Sequence, residues 1–268
     1  WTADPFKKIF DAYFPGWALE PEILVRVDSV SDEEIWWAHN QAKRELINFV
    51  NTTTQTDMNY EALTIGFARR STAYKRAYLI FSELERLQKI GKNVKLQFVF
   101  AGKAHPKDEA GKTLIKSIYE TIEQLKGDIK IAYLQNYNMT IASKMVSGVD
   151  LWLNTPIPPL EASGTSGMKA AHNGVINFSV LDGWWIEGWI EDVTGWAIGP
   201  PPQNVLTVKE RTAKELDDLY GKLEFVIIPK YYNERYEWID MMKNSIGKIA
   251  YYFNSHRMMR RYATEAYI

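Results

Sequence analysis

The sequence predicts an α/β protein, a doubly wound parallel sheet with helical extensions at both ends. Short apolar runs recur through the middle of the chain, and one of them, VKLQFVF, is nearly continuous, as in a strand covered on both faces. Segments with apolar residues at helical spacing separate these runs. The turns between the two kinds of segment are short. This alternation of strands and helices is the pattern that predicts a parallel sheet.

The composition narrows the classes of function. The 268 residues include 32 Lys and Arg against 33 Asp and Glu, a net charge of −1, so the charge balance gives no sign of nucleic acid or an anionic membrane as a partner. The absence of cysteine excludes disulfides, cysteine-ligated zinc and thiol catalysis. No apolar run approaches the roughly 18 residues of a membrane span. The chain begins at Trp1, which leads us to expect a fragment or a processed product.

Residues 1–58 are predicted to form an opening helical segment. Asp4 followed by Pro5 is typical of a helix start. Ser31 and Glu34 have the spacing of a capping box at the start of a second helix. The polar run 51–59 is predicted to be an exposed loop.

Residues 59–232 are predicted to form the sheet domain. Helices are expected around Ala77–Leu87, Leu114–Leu125, 139–146 and 167–173, with Gly127 ending one of them. In a parallel sheet the loops after the strands lie along one edge, where such folds bind ligands. The predicted strands are 62–67, 94–100, 129–134, 149–153 and 175–180.

The last third of the chain has a different pattern. The tryptophan-rich stretch 184–196 is interpreted as a loop, in which packing is a commoner role for the indole rings than stacking on sugar. Thr207 and Glu210 form a second capping-box pattern. Residues 233–268 are predicted to contain a last helix with Trp238, Met242 and Phe253 on one face.

The segment 158–169 is the most unusual in the chain. Two glycines and three hydroxyl residues follow a predicted strand and precede a predicted helix, so backbone N–H groups there are able to cradle an anion. Lys169 follows directly, and a nearby amine suits an aldehyde cofactor that carries a phosphate. From spacing alone, an ordinary strand–helix loop with a surface lysine is the more frequent interpretation.

A second candidate segment, 66–76, also follows a predicted strand. It carries four cations within eight residues, Arg69, Arg70, Lys75 and Arg76, which favours an anion site. The alternative is a solvated basic helix start, although cations there oppose the helix dipole. If both segments face the same sheet edge, one pocket contains two adjacent anion sites.

Other chemistry-bearing residues give weaker signals. The four histidines, at 39, 105, 172 and 256, lack metal-ligand spacing, so structural roles are the preferred interpretation. Glu187, Glu191 and Asp192 lie among tryptophans and leave a glycosidase carboxylate pair open as a minor alternative.

Three segments resemble the α-glucan (glycogen/maltodextrin) phosphorylases. Residues 161–174, EASGTSGMKAAHNG, resemble that family's pyridoxal-phosphate lysine motif, which is highly specific. Arg69-Arg70 with Tyr74-Lys75-Arg76 is similar to its phosphate-binding loop, and 134–137 to the segment beside the cofactor ring. The stretch 181–185 resembles the shorter prokaryotic and archaeal branch, and the resemblance runs from about residue 31 to the C-terminus.

The resemblance implies a Rossmann-like lobe, the C-terminal lobe of a GT-B glycosyltransferase, with pyridoxal 5′-phosphate as cofactor. It implies Lys169, Arg70 and Lys75 as catalytic residues, and no metal. Thr72 stands where many relatives have histidine, so its role is left open. The implied cofactor-binding residues are Lys169, Thr165, Ser166, Gly167, Tyr137 and Arg69. The implied substrate-binding residues are Glu161, Ala162, Ser163, Gly164, Tyr74, Arg70 and Lys75.

The implied reaction is retaining phosphorolysis of an α-1,4-glucan by inorganic phosphate to α-glucose 1-phosphate, in the cytoplasm. Only one of the family's two lobes is represented, so we expect this chain to be inactive alone, or nearly so, without the N-terminal lobe. The last helix is expected to pack toward that lobe, leaving Trp238, Met242 and Phe253 partly exposed here. A homodimer is left open, through the full-length enzyme.

Two alternatives are left open. A nucleotide-sugar glycosyltransferase lobe, like that of glycogen synthases, shares the fold and the basic pair but does not need Lys169 to bind an aldehyde. A stand-alone glucan- or cofactor-binding module is the non-enzyme alternative. An aminotransferase-type enzyme is disfavoured, because its lysine transfers protons at the substrate carbon in a different setting.

Overall fold

The computed structural model describes residues 1–267, which contain one sheet of parallel strands. The strand order across the sheet is β3-β2-β1-β4-β5-β6. Strands β1 to β3 are added toward one edge and strands β4 to β6 toward the other, so the order of addition reverses between β1 and β4. A reversal of this kind marks the switch point at which doubly wound sheets bind ligands. The α/β fold class predicted from the sequence is therefore confirmed. The strands are β1 (Leu63–Arg70), β2 (Leu96–Lys103), β3 (Lys130–Leu134), β4 (Leu151–Asn154), β5 (Ile176–Val180) and β6 (Gly195–Ile198).

Helices cover both faces of the sheet and extend beyond it at each end. None of the helices within residues 1–267 is both long and apolar enough to cross a membrane. The helices are α1 (Asp4–Tyr13), α2 (Asp32–Thr54), α3 (Leu84–Asn93), α4 (Glu109–Gln124), α5 (Met139–Gly148), α6 (Thr165–Ala171), α7 (Trp185–Gly188), α8 (Val208–Lys222), α9 (Ile228–Asn233), α10 (Arg235–Asn244) and α11 (Ser255–Glu265).

The two faces of the sheet bury different side chains. Phe67, Phe98 and Phe100 lie on one face, in a core shared with α3, α4 and α8–α10. Ala101 and Trp152 lie on the other face, in a core shared with α2 and α5. Alternate residues of one strand thus enter opposite cores, which is why β2 reads as a continuous apolar run.

Several predicted boundaries are corrected by the structure. The helix α2 continues to Thr54, so only the second half of the predicted loop 51–59 is irregular. Residues 73–81 form two short 3₁₀ turns rather than the start of a helix, because Arg76 adopts a left-handed backbone, φ 46°. The strand β6 was missed in the stretch interpreted as a loop; its Trp196 is completely buried. The capping box at Thr207 and Glu210 is confirmed.

The exposure expected of the last predicted helix is wrong for Trp238 and Met242, whereas Phe253 is partly exposed as expected. Trp238 and Met242 are 0% and 1% exposed within this chain. Trp238 packs against Trp196 and Tyr231, with ring centroids 5.9 and 5.0 Å apart, and Phe253 is half-buried against Trp184. The helix also ends before residue 251, and α11 begins after the Asn254 cap with no buried residue.

Candidate functional site

Loops from three strands meet at the carboxyl edge of the sheet. The strands β1, β3 and β4 are parallel members of one sheet, so the loops that follow them, 71–76, 135–138 and 155–164, leave from the same edge. The two segments singled out by their sequence are therefore neighbours.

One carboxylate joins the two segments directly. Glu161 Oε2 lies 2.7 Å from Arg69 Nη2 and also accepts a hydrogen bond from Lys75 Nζ. The Lys75 ammonium lies over the Tyr74 ring, 4.4 Å from its centroid. All of the paired groups are largely buried, so the attraction between them is screened less than on an open surface.

Backbone contacts hold the two loops in register. The Ile157 N–H donates to the Tyr74 carbonyl over 2.9 Å, and the Thr155 hydroxyl donates to the Lys75 carbonyl over 3.0 Å. Arg76 is buried and donates to the carbonyls of Thr155 and Pro156. Its remaining partner is Glu215, so this fourth cation of the basic segment has a structural role.

The loop that carries Glu161 is fixed from behind by the end of β5. The Glu161 N–H donates to Asp182 Oδ2 over 2.9 Å, and Gly183 N–H to Asp182 Oδ1 over 3.0 Å. A Cβ on Gly183 would lie 2.3 Å from the Ser163 carbonyl oxygen, so only glycine fits there. Burial raises the pKa of the Asp182 carboxyl, although its two backbone donors oppose the shift. The sequence analysis gave Asp182 no role in the site.

The start of α6 combines exposed and packed groups. Gly164 precedes the helix with φ +90°, and Ala162, Ser163 and Thr165 are exposed. The Ser166 hydroxyl accepts a hydrogen bond from Trp152 Nε1 over 3.2 Å. A Cβ on Gly167 would lie 2.4 Å from Asn177 Oδ1, so this glycine is required by packing.

Lys169 lies on α6, half-buried, beside the first residue of the chain. Its Nζ is 3.9 Å from the centroid of the Trp1 ring. Burial lowers the pKa of the Lys169 ammonium, which increases the fraction of neutral, nucleophilic amine. Trp1 had no predicted role, because nothing in the sequence links it to residue 169.

Arg70 and Tyr137 occupy different environments near this cluster. Arg70 is exposed and makes no ion pair with any residue between 1 and 267. Tyr137 is half-buried; burial raises the pKa of its hydroxyl, and nearby Arg69 opposes the shift. The structure thus brings Arg69, Lys75, Tyr74 and Glu161 into contact. Lys169 and Arg70 lie at the same sheet edge and form no ion pair with them among residues 1–267.

The arrangement fits an anion. Arg69 Nη1 is buried and has no hydrogen-bond partner among residues 1–267. Burial lowers the pKa of Arg69, and Glu161 opposes that shift, so the guanidinium keeps its charge. A buried guanidinium N–H with no acceptor, next to a lysine, is suited to phosphate or carboxylate oxygens.

The tryptophan-rich stretch is mainly core. Trp184, Trp185 and Trp196 are at most 5% exposed. Glu191 pairs with Lys222, and Asp192 accepts from Trp196 Nε1. These contacts support the packing interpretation and give Glu191 and Asp192 structural partners.

Comparison with known proteins gives consistent matches. A family profile, carbohydrate phosphorylase, matches residues 17–198. The chain is 42% identical to the maltodextrin phosphorylase of Thermococcus litoralis, over all of this chain and 34% of that protein. It is 36% identical to the glycogen phosphorylase of Aquifex aeolicus, over all of this chain and 42% of that protein. The chain therefore spans less than half the length of these relatives.

Proposed function

The chain belongs to the carbohydrate phosphorylase family, and we propose that it supplies the cofactor- and phosphate-binding part of an α-glucan phosphorylase. The observation that carries the proposal is the contact of Glu161 with both Arg69 and Lys75. It joins the segment that resembles the lysine motif to the segment that resembles the phosphate loop. The buried, unpartnered Arg69 Nη1 gives this junction a free donor for a phosphate oxygen.

Pyridoxal 5′-phosphate is the proposed cofactor. Lys169 would hold its aldehyde carbon through the side-chain amine, and the burial that lowers the pKa of Lys169 favours the reactive neutral form. Tyr137 would lie against the ring. The cofactor phosphate would be held by Thr165, Ser166, Gly167 and Arg69.

The substrates proposed are inorganic phosphate and the end of an α-1,4-glucan. When bound, the cofactor supplies a phosphate group able to exchange protons with the substrate phosphate. Arg70 and Lys75 would bind the substrate phosphate, and their charge reduces the repulsion between two phosphates brought close together. Tyr74 and residues 161–164 would hold the sugar hydroxyls.

The rest of the sugar site is proposed to come from an N-terminal lobe. Relatives matched over all of this chain are more than twice its length, and the family resemblance assigns acidic residues and a histidine of the sugar site to that lobe. We therefore expect the 268-residue chain alone to release almost no glucose 1-phosphate. Release at ordinary enzymatic rates by this chain with no other protein would contradict that expectation.

The cofactor assignment is tested by borohydride reduction. The chain is incubated with pyridoxal 5′-phosphate, reduced, digested and mapped by mass spectrometry. We expect a single dominant label on Lys169, its loss in Lys169→Ala, and its retention in Lys209→Ala, which removes an exposed lysine of α8. Label spread over surface lysines, or no label on a folded chain, would overturn the assignment and favour a nucleotide-sugar transferase lobe or a binding module.

A further inference from the structure

A small cavity lies beneath the basic segment, between the end of β1 and α4. Its apolar walls come from phenylalanines of β1 and β2 and from Leu114 and Ile118 of α4. Its polar lining includes Arg69, Ser71, Thr72 and Tyr133. A space of this kind holds on the order of one water molecule when enough polar groups face it.

Two hydroxyls that line this cavity lack hydrogen-bond partners. Tyr133 OH and Thr72 Oγ1 are buried, and neither makes a hydrogen bond of good geometry among residues 1–267, although Ser71 interacts with the Tyr133 hydroxyl closely enough to lower its pKa. Tyr133 projects from β3, whereas Thr72 belongs to the loop after β1. Buried hydroxyls are normally paired with protein or ordered water, so two unpaired hydroxyls on one cavity indicate a shared occupant.

Gly102 gives the Tyr133 hydroxyl access to the basic loop. A Cβ on Gly102 would lie 3.1 Å from Tyr133 OH, 3.2 Å from Ser71 Oγ and 2.5 Å from the Arg69 carbonyl oxygen. The hydroxyls of Tyr133 and Ser71 and the Arg69 carbonyl oxygen therefore surround one point at the end of β2. The position is close enough to the phosphate-binding cations for Tyr133 to affect their placement.

The chemistry of the lining selects water as the occupant. Hydroxyls both donate and accept, whereas the unpartnered Arg69 Nη1 only donates. Water satisfies both kinds of group. Arg70 and Lys75 also line the cavity, but a phosphate ion is too large for the space. Burial raises the pKa of Tyr133 to about 12, so its hydroxyl stays protonated at neutral pH.

We propose that one enclosed water links the Tyr133 hydroxyl to the Thr72 hydroxyl and that this link holds residues 69–75 in position for phosphate. The positioning of residues 69–75 for phosphate rests on the proposed function, whereas the water link between the two hydroxyls does not. Tyr133 is then a positioning residue, acting through the loop without touching phosphate or sugar.

The link itself is tested by a double-mutant cycle in urea unfolding. Tyr133→Phe and Thr72→Val each remove one hydroxyl and keep the shape of the side chain. If one water joins the two groups, the double variant unfolds at nearly the same urea concentration as the less stable single variant. Additive shifts of the midpoint would overturn the link, as would a high-resolution crystal structure that shows no water between the two hydroxyls.

The positioning role is tested by calorimetric titration with inorganic phosphate. Tyr133→Phe and Thr72→Val should each weaken binding about fivefold, as expected for one lost hydrogen bond, and Thr72→Ser should restore it. The matched control is Tyr119→Phe: its ring centroid lies 5.1 Å from that of Tyr133, but its hydroxyl accepts from Gln135 outside this cavity.

The outcomes separate the two claims. Unchanged phosphate affinity in Tyr133→Phe would overturn the positioning role and leave the proposed function standing. A folded wild-type chain that binds no phosphate would overturn the proposed function together with the positioning role. The urea cycle would still decide whether the hydroxyls are linked.

Discussion

A single oxygen of Glu161 neutralises two cations that the proposed function assigns to phosphates. Arg69 and Lys75 both contact Glu161 Oε2 in this structure. A phosphate that arrives between these cations must therefore compete with a carboxylate already in place. The side chain stabilises the loop and at the same time limits its affinity for anions.

Glu161→Gln should bind inorganic phosphate more tightly than the wild-type chain. The amide keeps the size of the side chain but removes the competing charge, and we expect a gain of roughly tenfold, about 1.4 kcal/mol. Isothermal titration with phosphate measures it. Glu120→Gln, on the exposed face of α4, is the control and should leave the affinity unchanged. Weaker binding in Glu161→Gln would show that the carboxylate supports the cations rather than competing for them.

His172 makes stability depend on pH. Burial lowers its pKa from 6.5 to about 4, with the chain's amino terminus adding to the effect. The unfolded chain thus binds a proton below about pH 6.5 and the folded chain only below about pH 4. The stability that neutral His172 contributes is complete above pH 6.5 and is lost as the pH falls toward 4.

His172→Gln should therefore lose less stability on acidification than the wild-type chain. The difference between the two proteins should change by at most about 1.4 kcal/mol per pH unit across this window. Urea unfolding at pH 7.0 and 5.0 measures it. Parallel losses in the two proteins would mean that His172 is not held neutral.

At the scale of elements, the ends of β1 and β2 depend on the absence of side chains at two glycines. A Cβ on Gly102 would lie 2.5 Å from the Arg69 carbonyl oxygen, and one on Gly111 would lie 2.5 Å from that of Ser71. Both contacts are with backbone, which cannot move aside without moving the loop. The basic segment is therefore held by β2 and α4 together.

Gly102→Ala should destabilise the fold by about 1–3 kcal/mol, the usual cost of overpacking, and should weaken pyridoxal 5′-phosphate binding. Gly221→Ala is the matched control, because a Cβ there meets nothing within 4 Å in α8 and alanine favours a helix by up to about 1 kcal/mol. Chemical unfolding and equilibrium cofactor titration check both. Equal behaviour of the two variants would refute the packing argument.

Most elements of the sheet could be predicted because the signals were local. The run at 94–100 reads as a strand because its alternate residues enter two cores, and Thr207 with Glu210 form the capping box that their spacing predicts. The strand β6 was not predicted, because it begins inside the tryptophan-rich stretch interpreted as a loop and glycines stand at position 195 and at position 199. The helix expected from about Ala77 begins only at Leu84, and the interactions of Arg76 with Thr155, Pro156 and Glu215, which fix the turn before it, are long-range.

The candidate site was predictable only in part, for a similar reason. The segments 69–76 and 161–169 stand out by composition, and the family resemblance gives them roles. Other groups act through contacts with residues that are distant in the sequence, and residue spacing does not reveal such contacts. These groups are Asp182, Trp1 and Tyr133. The close packing of Gly167 against Asn177 also joins residues that are distant in the sequence, so spacing could not predict it.

At the scale of the whole molecule, a buried polar network anchors α2 and α9 to the sheet. Asp150 accepts hydrogen bonds from Lys43 Nζ over 2.6 Å and from the Thr64 N–H over 2.7 Å, and its other oxygen lies 2.7 Å from His39 Nε2. Lys43 also donates to Tyr231 OH over 2.9 Å. Burial alone would raise the pKa of Asp150, but Lys43 and His39 outweigh it and hold the pKa below its usual value.

Asp150→Ala should cost about 3–5 kcal/mol, because it leaves the buried Lys43 ammonium without its counter-charge. Guanidinium unfolding measures the loss, and Asp217→Ala, exposed on α8, should stay within about 0.5 kcal/mol of wild type. A small effect at Asp150 would show that the network is not needed for stability.

The exposed helix α11 is the part of the chain best placed to contact the proposed N-terminal lobe. The segment 233–268 is proposed to face an N-terminal lobe. Because Trp238 and Met242 are buried within this chain, we propose that α11, at the end of the segment, makes that contact. None of the eleven residues of α11 is buried, and Met258, Met259 and Tyr262 are among the exposed apolar side chains.

The central claim is that Lys169 and Arg69 serve one ligand that carries both an aldehyde and a phosphate. Its most direct test compares the affinities of pyridoxal 5′-phosphate and pyridoxal for the wild-type chain and for Arg69→Gln. We predict that Arg69→Gln weakens pyridoxal 5′-phosphate binding about tenfold, roughly 1.4 kcal/mol, and leaves pyridoxal binding unchanged. Equal losses for both ligands, or none for either, would contradict the claim.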